Sequence, residues 1–494
     1  MNTPNSETPK KINILINTFF SLSLPRTPFA VSMFLWIIER QNAYRPQNCA
    51  TLIEKFIEEI LDKKNIDGTL RETFDYENKV RLLSEIAYKM LREENQNYSL
   101  QYSEIVQKAE EHFKSRKFNK IYKPKKIIDE FIYLGIIVED NGCFRFRFNC
   151  FFEYFLVKKM EYDSDFKKAV LSEESYLKYC NEIQYYTGLH RGEKDILKTI
   201  LDRLEYNYID ITEIINSRTR SIDDVFSVDV SLIQNIKADE LFELLPEKKT
   251  EEDDDKETDT RLKSVDLSDK GIVKKKNTNK FNAYSQLLIL AMNVLKNSEE
   301  IDVENLKNDS YVKILKNSIS YCVLYKLICD EFIEHEDQFP LERIVEFKYI
   351  LRFLPLLHQS LLSDNIGTYK LSEVIMDKIS SDKLDKNVSE FEKFLSVFLY
   401  ADIKGVKYKD VLIDFVKTLN KKYVIDSSFF KSMSYYYNSK NKNDDTTYLN
   451  LMADLYIRLH ASIDPSSRIN KNKLMQNYKI QKMNFEREEK DFDK

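Results

Sequence analysis

Seven basic residues lie within thirteen positions, with no acidic residue among them. Pro124, inside this stretch, is typical of a helix start, and a strand-like run follows from 143 to 148. Clustered ammonium and guanidinium groups bind phosphates and carboxylates. The cluster therefore predicts a surface for nucleic acid or for docking of an acidic protein; a solvated basic turn is the simpler alternative. The candidate residues are Lys114, Arg116, Lys117, Lys120, Lys123, Lys125 and Lys126, with Arg145 and Arg147 on the strand.

Catalytic patterns are missing from the sequence. The stretch nearest to a phosphate-binding loop begins at Gly188, but its glycines are one residue too close and Glu193 stands where the loop needs lysine. The five histidines are scattered, and no two of the six cysteines form a CxxC pair. Metal ligands recur at short, fixed spacings, which these residues lack. We therefore expect no catalytic, cofactor-binding or metal-binding residues, and no enzyme.

Composition indicates which elements position the basic cluster. The chain has 494 residues but only 8 glycines and 10 prolines. Sheet-rich folds and phosphate-cradling loops need more of these turn residues. We predict a mainly α fold, made of a helical bundle plus a winged helix with a β-hairpin, followed by an irregular α-solenoid-like helical arm.

Charge and hydropathy bear on partners and location. The net charge of -5 gives no global attraction to nucleic acid or anionic lipid, so any attraction must come from a local patch. No run of about 18 apolar residues and no signal peptide is evident. The cysteine pattern suits reduced thiols. We expect a cytoplasmic protein without a membrane partner.

Residues 10–75 predict the helical bundle. Pro25 and Pro28 mark a turn. The helix after it contains Trp36 and is apolar nearly all round, as helices inside a bundle are. An amphipathic helix is expected from Ala50 to Lys63.

Residues 76–162 predict the winged helix. Three helices are expected, at 79–92, 103–113 and 124–134, the last closed by Gly135. Two strand-like runs follow, separated by Asn141 and Gly142, and Asn-Gly between such runs is typical of a β-hairpin. Three helices followed by a hairpin is the winged-helix order.

The remaining residues predict the arm. Residues 163–246 form its first part and residues 281–465 continue it, as consecutive helices joined by short polar turns. Between them, residues 247–280 carry charges in blocks and predict a disordered loop. Residues 466–494 predict a flexible tail.

Three segments carry a family resemblance. They are LPRTPFAVSMFLWIIE at 24–39 with the helix at 50–63, FRFRFNCFFEYFLVKKM at 144–160, and IQYYTGLHRGEKDILKTILDRL at 183–204. Together they resemble the C-terminal half of bacterial STAND/NACHT-type signal-transduction NTPases, many of them associated with antiphage defence. The second segment contains the aromatic-x-Glu-aromatic pattern of that family's winged helix, which falls on Phe151, Glu153, Tyr154 and Phe155.

The sequence departs from that family at two points. The family's ATPase core would lie before residue 10, and no Walker motif is found. We expect either the C-terminal portion of a longer or split protein, or a lineage that lost its ATPase. The family's winged-helix histidine, which approaches the nucleotide phosphate, is replaced by Phe148.

Two functions follow as hypotheses. The first is a non-catalytic regulatory and sensor module of a STAND-like switch. Its bundle and winged helix would pack on an NTPase core, and its arm would bind a trigger or partner protein. Its hinge between winged helix and arm is expected at Tyr185, Tyr186, Gly188 and Arg191. The second is a winged-helix nucleic-acid-binding regulator whose arm serves dimerisation or an effector. A plain helical scaffold is a third alternative, and the sequence leaves the oligomeric state open.

Overall fold

A computed structural model describes most of the chain. The described residues are 31–32, 35–37, 47–63, 74–93, 98–118, 121–209, 213, 215, 222–226, 280–303, 305–334, 341–385, 387–439, 442–463 and 469–492. The predicted turn at Pro25 and Pro28, and the predicted disordered loop except for Lys280, lie outside them.

The chain divides into two compact units. Unit 1 comprises residues 1–200 and 250–302, and unit 2 comprises residues 201–249 and 303–494. The first helices of the predicted arm, up to residue 200, thus belong to the same unit as the predicted winged helix. The predicted domain limits stay a prediction.

Helical residues are described at 31–32 and 35–37, and the first helix of unit 1 described from end to end is α1 (Cys49–Lys63). Three helices and a hairpin follow it. Asp75 caps α2, since its side chain accepts a hydrogen bond from the Asn78 amide at 2.9 Å. Pro124 occupies the first turn of α4, as predicted. The elements are α2 (Tyr76–Arg92), α3 (Tyr102–Ser115), α4 (Pro124–Tyr133), β1 (Ile137–Asp140) and β2 (Cys143–Phe146).

The hairpin has the predicted turn. β1 and β2 pair antiparallel, with Ile137 opposite Phe146. Asn141 and Gly142 take φ of 52° and 82°, the left-handed conformations that a two-residue hairpin loop requires. A further bridge joins Leu100 to Phe144 on the other side of β2. The three-helix and hairpin order of residues 76–146, hereafter the helix–hairpin unit, agrees with the prediction.

The rest of unit 1 packs around α5 (Asn149–Tyr162). This helix is buried over most of its circumference because α1, α2, β2 and α7 all contact it. The other helices of this part are α6 (Ser164–Val170), α7 (Cys180–Leu189), α8 (Lys194–Tyr206), which runs into unit 2, and α10 (Lys280–Asn297).

Unit 2 consists of helices packed mainly on their neighbours along the chain. α11 packs on α12, α13 on α14, and α16 on α17, while α14 also contacts α12 and α16. The elements are α9 (Ile222–Val225), α11 (Leu306–Glu334), α12 (Leu341–Ile366), α13 (Ser372–Leu384), α14 (Glu390–Asp402), α15 (Tyr408–Thr418), α16 (Lys422–Asn438), α17 (Lys442–Ile463) and α18 (Lys471–Phe492).

The predicted mainly α fold with a β-hairpin is confirmed, with one correction at the C-terminus. Residues 466–494, predicted as a flexible tail, form the helix α18 over Lys471–Phe492. Its Lys482 is 5% exposed and donates to the carbonyl oxygens of Tyr436 and Ser439, each at 2.8 Å. This buried lysine, bonded to carbonyl oxygens at the end of α16, anchors a helix whose composition is otherwise polar. Among the described residues, no helix is long and apolar enough to cross a membrane.

Candidate functional site

Helix α7 lies where three other helices of unit 1 meet. It packs against α1, α5 and α10, which come from distant parts of the chain. Its own residues Ile183 and Tyr186 are buried, so part of each contact is apolar. The remaining contacts are polar, and each of the three neighbours is bonded to α7 through a side-chain amide. We call this group of contacts the α7 junction.

The contact with α1 passes through Asn48. Its Oδ1 accepts from the Thr51 amide at 3.0 Å, which caps α1, and its Nδ2 donates to the Gly188 carbonyl oxygen at 2.7 Å. The two helices touch closely here. A Cβ on Gly188 would lie 3.0 Å from the Ala50 Cβ and 3.1 Å from Asn48 Oδ1. A side chain at 188 would therefore press on the start of α1 and force Ala50 or Asn48 to move.

The contact with α10 uses three amide side chains. Gln184 Nε2 donates to Asn293 Oδ1 at 3.2 Å, and Asn297 Nδ2 donates to the Gln184 carbonyl oxygen at 2.9 Å. Just beyond α7, the Arg191 guanidinium pairs with Glu299 and, at 2.6 Å, with Glu300. Arg191 thus fastens the end of α7 to the residues that follow α10.

The contact with α5 involves the family-like residues. Asn181 Nδ2 donates to Glu153 Oε1 at 2.8 Å, and Glu153 is 3% exposed.

The aromatic family-like residues of the same helix are buried: Phe151, Tyr154 and Phe155. The Tyr154 hydroxyl lies 3.1 Å from that of Tyr76, and Phe155 packs on Phe146 at 5.3 Å between ring centroids. The aromatic residues fill the core, while Glu153 belongs to the junction.

A recess of about 20 Å³, the room of one water molecule, opens at the junction. It is lined by Asn48, Cys49, Ala50, Gln184, Tyr185, Lys296 and Asn297.

The recess carries no activated nucleophile. Burial, reinforced by the charge of Glu153, raises the pKa of the Cys49 thiol to about 12, although Lys296 acts in the opposite direction. Burial and Glu153 likewise raise the pKa of Tyr185 and that of Cys150. Because only a thiolate is a good nucleophile, these protonated groups suit packing and hydrogen bonding rather than covalent catalysis.

An ionic chain runs along one edge of the junction. Lys158 on α5 pairs with Glu54 on α1 and with Glu161, both at 2.9 Å. Glu161 also lies 3.1 Å from His190 Nε2, at the end of α7. Burial alone raises the pKa of Glu161, but its hydrogen bonds with His190 and Lys158 outweigh that effect and lower it. Near this edge, Tyr186 accepts a hydrogen bond from Lys167 Nζ at 2.8 Å.

The predicted hinge residues therefore occupy one small region. Tyr185, Tyr186 and Gly188 lie on α7, and Arg191 follows it. All four belong to unit 1. Sequence reasoning missed the side chains that bond to α7 from its neighbours, namely Asn48, which bonds to Gly188, and Asn293 and Asn297, which bond to Gln184. Only Asn48 had a local signal, since asparagine before a helical run is a common N-cap.

The predicted basic patch lies on other elements. Its described lysines are exposed, and none of them forms an ion pair within the part of the chain that the structure describes. We call them the basic surface: Lys114, Lys117, Lys123, Lys125 and Lys126. Ile121, 63% exposed, lies in the same stretch.

The other predicted members of the patch have partners or are not described. Arg116 lies 3.1 Å from His112 Nδ1, and Arg145 pairs with Asp140 at 2.9 Å. The Arg147 guanidinium lies 5.3 Å from the centroid of the Phe148 ring. Lys120 lies outside the described residues.

A buried ion pair joins α2 to α4, and its lysine also bonds to α1. Lys79 on α2 pairs with Glu130 on α4 at 2.8 Å and also donates to the Leu61 carbonyl oxygen on α1 at 3.1 Å. Both side chains of the pair are less than a tenth exposed. Across the described residues, no group of three potential metal ligands is found.

Comparison with known proteins gives one match. Residues 98–156 match the family described as Novel STAND NTPase 4. The matched segment is about an eighth of the chain and runs from four residues before α3 to the middle of α5. It supports a STAND-like relationship. No curated protein and no solved structure matches the chain.

Proposed function

We propose that the chain is a regulatory and sensor module of a STAND-like NTPase switch, without catalytic activity of its own, and that it acts in bacterial antiviral defence. In this proposal the residues 76–162 form a winged helix that packs on an NTPase core. The helical arm binds a trigger or partner protein. The STAND-like match over residues 98–156 supports the family context.

The observation that carries the proposal is the α7 junction. A switch needs an element with two packings that differ by only a few kcal/mol. α7 is bonded to each neighbour by amide hydrogen bonds, and each such bond contributes about 0.5–1.5 kcal/mol net. The same amides can bond to water or to new partners when α7 shifts. The hydrogen bonds of the junction can therefore be replaced by hydrogen bonds to water or to new partners at a cost of a few kcal/mol.

The junction also joins the right parts of the chain. α5 leaves the helix–hairpin unit, α1 belongs to the predicted bundle, and α10 begins the second stretch of the predicted arm. A change in the packing of α7 would reach all three at once. Binding of a partner to the arm would thus be transmitted to the surface that faces an NTPase core.

Two measurements test this function. Isothermal titration of the purified chain with magnesium ATP should give no binding and no hydrolysis; micromolar affinity would contradict a non-catalytic module. A phage plaque assay in cells carrying the chain and its neighbouring genes should show protection that Gly188→Val abolishes. Gly192→Val is the matched control, since a Cβ at Gly192 meets nothing within 4 Å.

The basic surface favours nucleic-acid binding as a second candidate function. Its exposed lysines have no carboxylate partner among the described residues, so they are available for phosphate contacts. Each such contact makes affinity fall with salt. Replacing Lys123, Lys125 and Lys126 by Glu should abolish salt-sensitive binding to a DNA or RNA duplex in a gel-shift assay. The charge-matched control replaces exposed lysines on α6 and α8: Lys168, Lys194 and Lys198. Absence of binding by the unmodified chain at low salt would contradict this candidate.

A further inference from the structure

A short helix of unit 2 and the residue after it contact two longer helices, with Asp223 and Phe226 among the described contacts. α9 spans only Ile222–Val225, and the residues on both sides of 222–226 lie outside the described part of the chain. Phe226, 3% exposed, lies 5.1 Å from Phe391 and 5.5 Å from Tyr423 between ring centroids. Asp223 accepts a hydrogen bond from the Tyr423 hydroxyl at 2.6 Å.

The surface that receives α9 is built by longer helices. Phe391 lies on α14 and Tyr423 on α16, and these helices pack on each other. Behind Phe391 lies His358 of α12, 6.5 Å away between ring centroids. Burial, then the hydrogen bond to Asp223, raises the pKa of Tyr423, so its hydroxyl keeps the proton it donates. We call this surface, made by Phe391 and Tyr423, the aromatic pocket.

The way α9 is held resembles the binding of a peptide. Four residues are too few to form a stable helix alone, so its contacts determine its conformation. Asp223 and Phe226 are three residues apart and so lie on one face of a helical turn. One aromatic anchor in a pocket, with one polar contact beside it, is how short peptide segments are recognised.

We propose that the aromatic pocket is a peptide-binding site of the arm, which α9 and Phe226 occupy in cis. A protein partner displaces them with a segment that carries an acidic residue three positions before an aromatic residue. The inference rests on the proposed function, in which the arm binds a partner protein, and it names the chemistry of that partner. Because the cis segment is tethered, it competes at a high effective concentration.

The test uses the chain's own segment as the probe. A fluorescein-labelled peptide of residues 218–230 is titrated with the full chain carrying Phe226→Ala, and fluorescence anisotropy is measured. The variant should bind the peptide at least about tenfold more tightly than the unmodified chain, since its pocket lacks the competing anchor. Adding Tyr423→Phe, which keeps the ring and removes the donor, should weaken binding. A peptide carrying the same Phe226→Ala change should not bind.

The folded state of the variant is checked by circular dichroism and thermal denaturation. If Phe226→Ala does not fold, Asp223→Ala replaces it, because that change removes the hydrogen bond and leaves the anchor; tighter peptide binding than in the unmodified chain is again expected. A folded variant that fails to bind the peptide overturns the proposal and makes α9 an ordinary packing element. The peptide titration does not test α7, so a negative result for the proposed switch and a negative result for this peptide-binding site can be told apart.

Discussion

Replacing Lys79 by methionine should destabilise unit 1 strongly, because the Glu130 carboxylate is then left buried without a cation. The two side chains are 5% and 9% exposed, and Lys79 also holds the Leu61 carbonyl oxygen. Removing one partner of a buried ion pair costs about 3–5 kcal/mol. With an m-value of about 2–3 kcal/mol/M, the urea midpoint should fall by about 1–2.5 M.

The assay is urea denaturation followed by the fluorescence of Trp36, the chain's only tryptophan, whose ring lies 5.1 Å from that of Phe56 on α1. The matched variant carries Lys79→Met and Glu130→Leu together. It should recover most of the lost stability, because two apolar side chains of similar volume need no ionic partner. If single and double variants unfold at the same urea concentration, the pair is not energetically coupled, and our account of how α1, α2 and α4 are held is refuted.

Three further predictions concern buried or half-buried groups. Burial lowers the pKa of His358 to about 4, below its unfolded value of about 6.5. The stability that neutral His358 contributes is therefore present above about pH 6.5 and is lost as the pH falls toward 4. The melting temperatures at pH 7 and pH 5 should differ less in His358→Gln than in the unmodified chain. Cys49, with its pKa raised to about 12, should react with a disulfide reagent at pH 8 more than about a hundredfold slower than free cysteine. Lys482→Met should release α18, seen as faster proteolysis after residue 470, while exposed Lys479→Met should not.

The helix–hairpin unit could be predicted because its signals are local. Pro124 begins α4, Gly135 follows it at a φ of 71°, and Asn141 with Gly142 makes the hairpin turn. Each residue adopts a conformation that its own chemistry favours, without help from distant parts of the chain.

The sequence of α16 does not indicate a separate helix, because it has no amphipathic period. The structure buries polar and apolar residues on several sides of it, among them Asp426, Ser427, Ser428 and Phe429. A helix surrounded by α12, α14 and α17 does not need one apolar stripe. α15 ends at Thr418, and α16 begins at Lys422 after a connection of three residues.

Of the α7 junction, the sequence predicts residues on α7 itself but not their partners on the neighbouring helices. Tyr185 and Gly188 were named from the sequence, but the amide partners lie more than 100 residues away in several cases, as with Asn48 and Gly188. Amide side chains have no characteristic spacing when they bond across helices. Only tertiary packing brings them together.

The central claim is that α7 can leave its present packing while the helix–hairpin unit stays folded. Amide hydrogen exchange with mass spectrometry tests it most directly in the full chain, comparing Gly188→Val with the control Gly192→Val. Faster exchange is expected in α7, α1 and α10 of the Gly188 variant only, with α2–α4 still protected. Faster exchange throughout unit 1, or no difference between the two variants, would contradict it.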